Sequence, residues 1–361
     1  MFVTTSKQLY ELGYVDELSY SVSKRIEKKY PIKIPMNYLD LIDKGNSDCP
    51  ISMQCIPSED EIIDQDDGLS DPIGDNLHQK RPGLLHRYPN RLLVITTREC
   101  FLYCRFCFRK NFRASEDTAR HEDAYLYLSQ HPEINEVILS GGDPLVLSDD
   151  ELEKWFVTIL KHTSTKRIRI HTRAPVVFPQ RFDSFLYTLL ESVPLTTVIS
   201  VHINHPAELT PECKDILVRL RKIGIVTVSQ TVLLKGVNDS AEILRPLFDG
   251  LMCEGCIPYY LHHNDKVRGG MHFSISIDRG VEVVSSLWGE ISGLSIPKYV
   301  LDIPGGHGKV PIDVQKCVKQ NGVYKVSGMN QYIGTYSERE IRRGGDHDEE
   351  TTVHSAYRQG F

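Results

Sequence analysis

The residues best placed to do chemistry begin at Cys100-Phe-Leu-Tyr-Cys104-Arg-Phe-Cys107-Phe-Arg109. Cysteines spaced C-x3-C-x2-C bring three thiolates to one point, as a metal cluster needs. A four-iron cluster held by three protein sulfurs keeps one iron free for a ligand that is not protein. Buried structural cysteines are the plainer alternative. It fits less well, because the stretch follows the apolar run 92–95 as a loop follows a strand. Further along, Ser140-Gly141-Gly142-Asp143-Pro144 would let a ligand approach the backbone closely, with an acid to accept hydrogen bonds from an amino group. A simple turn before a helix is an equal reading of those five residues.

Two arginines and a tyrosine, Arg87, Tyr88 and Arg91, suit a phosphate, which takes charge-assisted hydrogen bonds from several sides. Taken alone, they would sooner be a surface ion-pair cluster. Lys309 stands in the glycine-rich stretch Pro304-Gly-Gly-His-Gly-Lys309-Val-Pro311, where a lysine amine could form a Schiff base with an aldehyde. Pyridoxal phosphate carries both an aldehyde and a phosphate, so the two features together imply it. Arg109 could hold a substrate carboxylate, or be one more exposed arginine beside Arg105, Lys110 and Arg113. Asp265 and Asp302, if they meet, need a cation or a shared proton between them, and a side-chain ammonium would serve. Separate surface acids are as good a reading of that pair. Cys253-Glu-Gly-Cys256 has no second C-x-x-C to complete a zinc site and is read as structural. The acidic run 58–67 is read as a solvated face without chemistry.

The elements that must position these groups follow from periodicity. Short apolar or β-branched runs at 92–97, 136–140, 167–171, 198–202, 225–231 and 257–262 alternate with helix-length segments at 149–161, 183–191, 211–223 and 241–254. Six βα units of this kind require a parallel sheet, open or curled towards a barrel. Polar residues crowd the ends of the strands, as in barrel enzymes, and no G-x-G-x-x-G follows the first strand. Residues 1–80 read as a helical lead-in with segments at 6–18, 22–30 and 37–44, residues 81–313 as the barrel, and 314–361 as a C-terminal tail, charge-rich from Glu338. The 361 residues carry a net charge of −6, nine cysteines, no apolar run long enough to span a bilayer and no secretory signal pattern. Nucleic acid and membrane partners are therefore not expected, and a soluble cytoplasmic protein is.

The chain resembles the radical S-adenosylmethionine enzymes in its C-x3-C-x2-C motif with an aromatic, Phe106, before the last cysteine. Over residues 80–313 it resembles the lysine 2,3-aminomutase family in particular. The matching stretches include Pro82-Gly-Leu-Leu-His-Arg-Tyr88, Ser140-Gly-Gly-Asp-Pro-Leu145, His202-Ile-Asn-His-Pro206, Gln230-Thr-Val-Leu-Leu-Lys-Gly-Val-Asn-Asp239, Pro258-Tyr-Tyr-Leu261 and the lysine loop. That resemblance implies an α/β fold of partial (β/α)6 barrel type with an N-terminal helical extension. It further implies a 4Fe-4S cluster on Cys100, Cys104 and Cys107, and S-adenosylmethionine contacted by Phe106, Gly141, Gly142, Asp143, His202 and Gln230. Lys309 would bind pyridoxal 5′-phosphate, with its phosphate on Arg87, Tyr88 and Arg91. Arg109 would take the carboxylate of a small-molecule amino acid substrate, and Asp265 with Asp302 its distal ammonium. An adenosyl radical would move the amino group of L-lysine to give β-lysine, with flavodoxin or ferredoxin as electron donor and a homo-oligomer as the assembly. Shorter relatives, including the enzyme that supplies β-lysine for elongation factor P, share the Leu-His-x-x-Asp-Lys-Val pattern seen at 261–267. Arginine or ornithine could replace lysine as substrate, whereas glutamate would be repelled by the two aspartates. A cluster-bearing sensor or assembly protein would need the cysteines but not Lys309.

Overall fold

The computed structural model describes residues 1–46, 48–63, 68–112, 117–312, 317–320, 323–327 and 333–337. Two compact units divide the chain, Met1–Val314 and Gln315–Phe361.

In the first unit, β1 (Phe2–Val3) pairs antiparallel with β2 (Ile34–Pro35), and helices Ser6–Glu11 and Glu17–Glu27 lie between them in sequence. The periodicity predicts helices over 6–18 and 22–30, but the break between the two falls earlier, after Glu11. Gly13 turns left-handed at φ 70°, and the Asp16 carboxylate accepts from the Ser19 N–H to cap a new start. Then come β3 (Gln79–Arg81), β4 (Leu84–Tyr88), β5 (Arg91–Thr97), β6 (Glu136–Gly141), β7 (Arg167–Thr172), β8 (Thr196–His202), β9 (Val226–Leu233), β10 (Cys256–His263), β11 (Lys298–Ile303) and β12 (Gly308–Pro311). They form one ten-stranded sheet in the order β12-β11-β10-β9-β8-β7-β6-β5-β4-β3.

From β5 to β11 every neighbouring pair is parallel, while β3-β4-β5 and β11-β12 are antiparallel. The fold is thus α/β, with a mostly parallel sheet of partial-barrel type. Strands β5–β10 are the six units the sequence predicts. The seventh parallel strand, β11, lies beyond them and sets up the hairpin that carries Lys309.

Alternation decides which side chains reach the inside. In β7 the buried Ile168 and Ile170 belong to the hydrophobic core, while Arg169 and His171 line a cavity on the other face. In β8 Ile199 and Val201 belong to the core, and Ser200 and His202 line the cavity. The helices between strands start at capping side chains, among them Ser148, Asp183 and Thr210, each accepting from the backbone N–H three residues on.

The second unit contains β13 (Cys317–Gln320), β14 (Val323–Ser327) and β15 (Ile333–Ser337), an antiparallel sheet in that order. The charged tail from Glu338 lies outside the described residues.

Candidate active site

One cavity of about 400 Å³ is lined by every residue singled out above for cluster, cofactor or substrate chemistry. Cys100, Cys104 and Cys107 border it, all three half-buried. Among the described residues, no three His, Cys, Asp or Glu side chains are close enough to hold a single metal ion. A cluster asks for something different, since each thiolate takes its own iron.

The cysteine loop is fastened to the N-terminal segment. The Tyr103 N–H donates to the Lys33 carbonyl at 2.9 Å, and the Arg105 N–H donates to the Gln54 carbonyl at 2.9 Å. Below it, the fully buried Glu61 accepts from Arg105 Nε at 2.8 Å and from Lys110 Nζ at 2.7 Å. This overturns one expectation: Glu61 belongs to the acidic run read as a solvated face, yet it is fully buried, and its partners Arg105 and Lys110 are only 2% and 4% exposed. Desolvation pushes the Glu61 carboxyl up, but its two cationic partners outweigh that and hold it below the usual range. Burial in turn draws Lys110 down to about 8. Residues 64–67 of the run lie outside the described residues.

At the end of β6, Gly141 adopts φ 121°, and a Cβ on Gly142 would fall 2.0 Å from the Glu99 carbonyl oxygen. Only glycine permits this packing of the turn against the cysteine loop. Asp143 departs from expectation. Its carboxylate accepts from Thr172 Oγ1 at 2.8 Å and from the backbone N–H groups of Arg173 at 2.8 Å and Leu145 at 3.0 Å. The acid therefore holds the turn, and the lone pairs meant for a ligand's amino group are largely committed. Phe106 stacks on His202 with centroids 5.4 Å apart, and Gln230 is the register partner of His202 on β9. Among the described residues, five buried atoms of cavity-lining side chains have no hydrogen-bond partner: Arg169 Nε, His171 Nε2, Arg173 Nε, Ser200 Oγ and His202 Nε2. Burial keeps both imidazoles well below their usual pKa and so neutral. Buried polar atoms of this kind call for a ligand to complete them.

Across the cavity a chain of alternating charges connects the remaining groups. Arg109 donates from Nε and Nη2 to Asp75 Oδ2 at 2.9 and 2.8 Å. Arg87 lies 3.6 Å from Asp75 on one side and 3.9 Å from Asp302 on the other, and donates to the Ile73 carbonyl at 2.5 Å. Lys309 Nζ donates to Asp302 and, at 3.0 Å, to His262 Nδ1. The Arg91 guanidinium lies over the Tyr88 ring at 4.0 Å, and Tyr88 Oη accepts from the Lys309 backbone N–H at 2.9 Å. The two aspartates feel one another. Desolvation, then the Asp302 charge, pushes Asp265 up to about 7. Asp302, despite desolvation, is held well below the ordinary range by His262 and Lys309.

Sequence reasoning missed Asp75, His262 as a partner of Lys309, and Arg173. Arg173 is buried, donates to Cys104 Sγ at 2.7 Å, and is held by Glu208 at 2.5 Å and Gln54 at 2.6 Å. Its place after His171 at the end of β7 was the available signal.

Residues 94–245 match the Radical SAM superfamily. L-lysine 2,3-aminomutase of Escherichia coli (strain K12) is 36% identical over 318 residues, covering 87% of this chain and 92% of the relative. The enzyme of the same name from Haemophilus influenzae is 38% identical over 298 residues, covering 81% and 87%. The one from Fusobacterium nucleatum subsp. nucleatum is 38% identical over 309 residues, covering 84% and 72%. A fainter likeness joins the chain to a solved structure described as anSMEcpe with bound AdoMet, at 12% identity and TM-score 0.42 over 54% of this chain and 57% of that one. With identity sustained across most of the length of these relatives, the chain belongs to the L-lysine 2,3-aminomutase family of radical S-adenosylmethionine enzymes, and is an isomerase.

Proposed function

We propose that this enzyme converts L-lysine to β-lysine by 1,2-amino migration, using pyridoxal phosphate in addition to the 4Fe-4S cluster and S-adenosylmethionine that its family implies. One observation carries the reading. A single cavity is lined by a cysteine triad, by Lys309 with Arg87, Tyr88 and Arg91, and by Arg109 and the Asp265/Asp302 pair, which suit the two charged ends of a diamino acid.

The residues fit the cofactors. The cysteine triad and the Gly141-Gly142 turn line the same cavity, and the unpaired His171, Ser200 and His202 atoms offer polar partners to a nucleoside and amino acid moiety. Arg87, Arg91 and Tyr88 offer donors for a phosphate within reach of the Lys309 amine. When bound, these groups supply a hydrogen-abstracting adenosyl radical and an aldehyde that carries the migrating nitrogen. The protein does the rest. Arg109 turns its guanidinium from Asp75 to the substrate carboxylate, gaining a bidentate anion. Asp302 and Asp265 hold the distal ammonium, so the β-carbon is fixed between two anchored ends. Phe106, Phe108, Tyr259 and Tyr260 line the same space and keep water from a radical. An external one-electron donor of the flavodoxin or ferredoxin type would reduce the cluster, in a cytoplasm that keeps the thiols reduced.

Borohydride reduction of the pyridoxal-loaded chain, followed by peptide mapping, tests the assignment. The pyridoxyl mass is expected on Lys309 and absent from Lys309→Ala; its appearance on another lysine would overturn it. Anaerobic turnover should give β-lysine from lysine and nothing from glutamate, whose distal carboxylate the two aspartates repel.

A further inference from the structure

We infer that His262 is a positioning residue that receives the Lys309 amine when an amino acid displaces it from the pyridoxal aldehyde. This rests on the function proposed above. Among the described residues, Lys309 Nζ hydrogen-bonds to two side chains, Asp302 and, at 3.0 Å, His262 Nδ1. The first of these is also the carboxylate proposed for the distal ammonium of the substrate. A lysine side chain of the protein thus occupies the place that a lysine side chain of the substrate must take. Two ammonium groups at one buried carboxylate would repel each other strongly.

The displacement itself forms one C–N bond to the incoming amine and breaks the one to Lys309. The two protons of the incoming neutral amine pass to Lys309, which leaves as a neutral amine. At that moment Asp302 is engaged by the substrate. In the tautomer with its proton on Nε2, His262 Nδ1, which lies 3.7 Å from Asp302 Oδ2 and so beyond hydrogen-bond distance of it, is the acceptor left to Lys309, and burial together with Lys309 keeps that imidazole neutral, at about 4. Lys309 cannot drift far, because its backbone N–H is held by Tyr88 Oη at 2.9 Å. His262 lies in register with Val300 on β11 and Val232 on β9, so its own position is fixed by the sheet.

The test uses the full chain loaded with pyridoxal phosphate, without S-adenosylmethionine or reductant, so that no turnover occurs. Lysine is titrated in, the sample is quenched with borohydride, and the pyridoxyl fraction on Lys309 is measured by mass spectrometry. His262→Ala is expected to need about three- to tenfold more lysine to clear Lys309 than the unaltered chain, the size of one hydrogen bond. His262→Asn, which restores an acceptor without a titrating ring, should return within about twofold. Norleucine lacks the distal ammonium and leaves Asp302 to Lys309, so with it the Ala variant should match the unaltered chain. Equal lysine titrations of the two chains, or the same rise with lysine and norleucine, would overturn the inference. Absence of pyridoxyl from Lys309 in the unaltered chain would instead remove the function on which it rests.

Discussion

Asp265 has its ionisation pushed up to about 7, close to neutrality, by desolvation and then by Asp302. The consequence for binding has a definite sign. An ammonium needs the ionised carboxylate, and below the pKa the ionised fraction falls about tenfold per pH unit. KM for lysine should therefore drop as pH rises from 6 to 8, while KM for norleucine, if it turns over, stays level. A lysine KM that is flat across this interval would remove Asp265 from the ammonium site. For stability the sign is opposite. A carboxyl whose folded pKa lies above its unfolded value keeps its proton longer when folded, so folding stability declines as pH climbs from about 4 to about 7. Asp265→Asn should abolish that decline, and a thermal melt at pH 5 and pH 8 reads it directly.

At the level of elements, the site is a product of strand periodicity and of one irregularity. In β9, Gln230 and Val232 alternate into the cavity and Thr231 and Leu233 away from it, as period two requires. In β10 the register shifts between Pro258 and Tyr260, and consecutive Tyr259 and Tyr260 both line the cavity, their hydroxyls 2.9 Å apart. The cysteine loop lies outside the strands and is held by its backbone hydrogen bonds to Lys33 and Gln54 and by Glu61. Replacing Glu61 by Gln leaves Arg105 and Lys110 buried beside a neutral amide, a change that costs about 3 kcal/mol or more. The expected results are a lower urea midpoint and fewer irons per chain after reconstitution. Full iron content with an unchanged midpoint would show that the loop is held by its backbone hydrogen bonds alone.

For the molecule as a whole, what was legible in the sequence was whatever repeats. Six βα units announce themselves through alternation and caps, and the cysteine, arginine and lysine groups that share the cavity through residue types that rarely occur together. Contacts between distant segments were not legible. Asp75 sits in a four-residue helix, Asp75–His78, with no periodicity, and is brought to the site because Gly74 packs where a Cβ would lie 2.5 Å from the Gly306 N. His78 Nε2 joins that contact by donating to the Gly306 carbonyl at 2.8 Å. Glu61 looked solvated because its own neighbours are acidic, and its cations arrive from a loop far along the chain. The same whole-molecule view yields a last expectation. Every described side chain that lines the cavity belongs to Met1–Val314, with Lys309 in β12 as the last of them. The unit Gln315–Phe361 supplies none among the described residues. A chain ended at Val314 should therefore bind iron to the same stoichiometry and take pyridoxyl on Lys309 to the same extent as the full chain. Loss of either the iron or the pyridoxyl label would overturn that expectation.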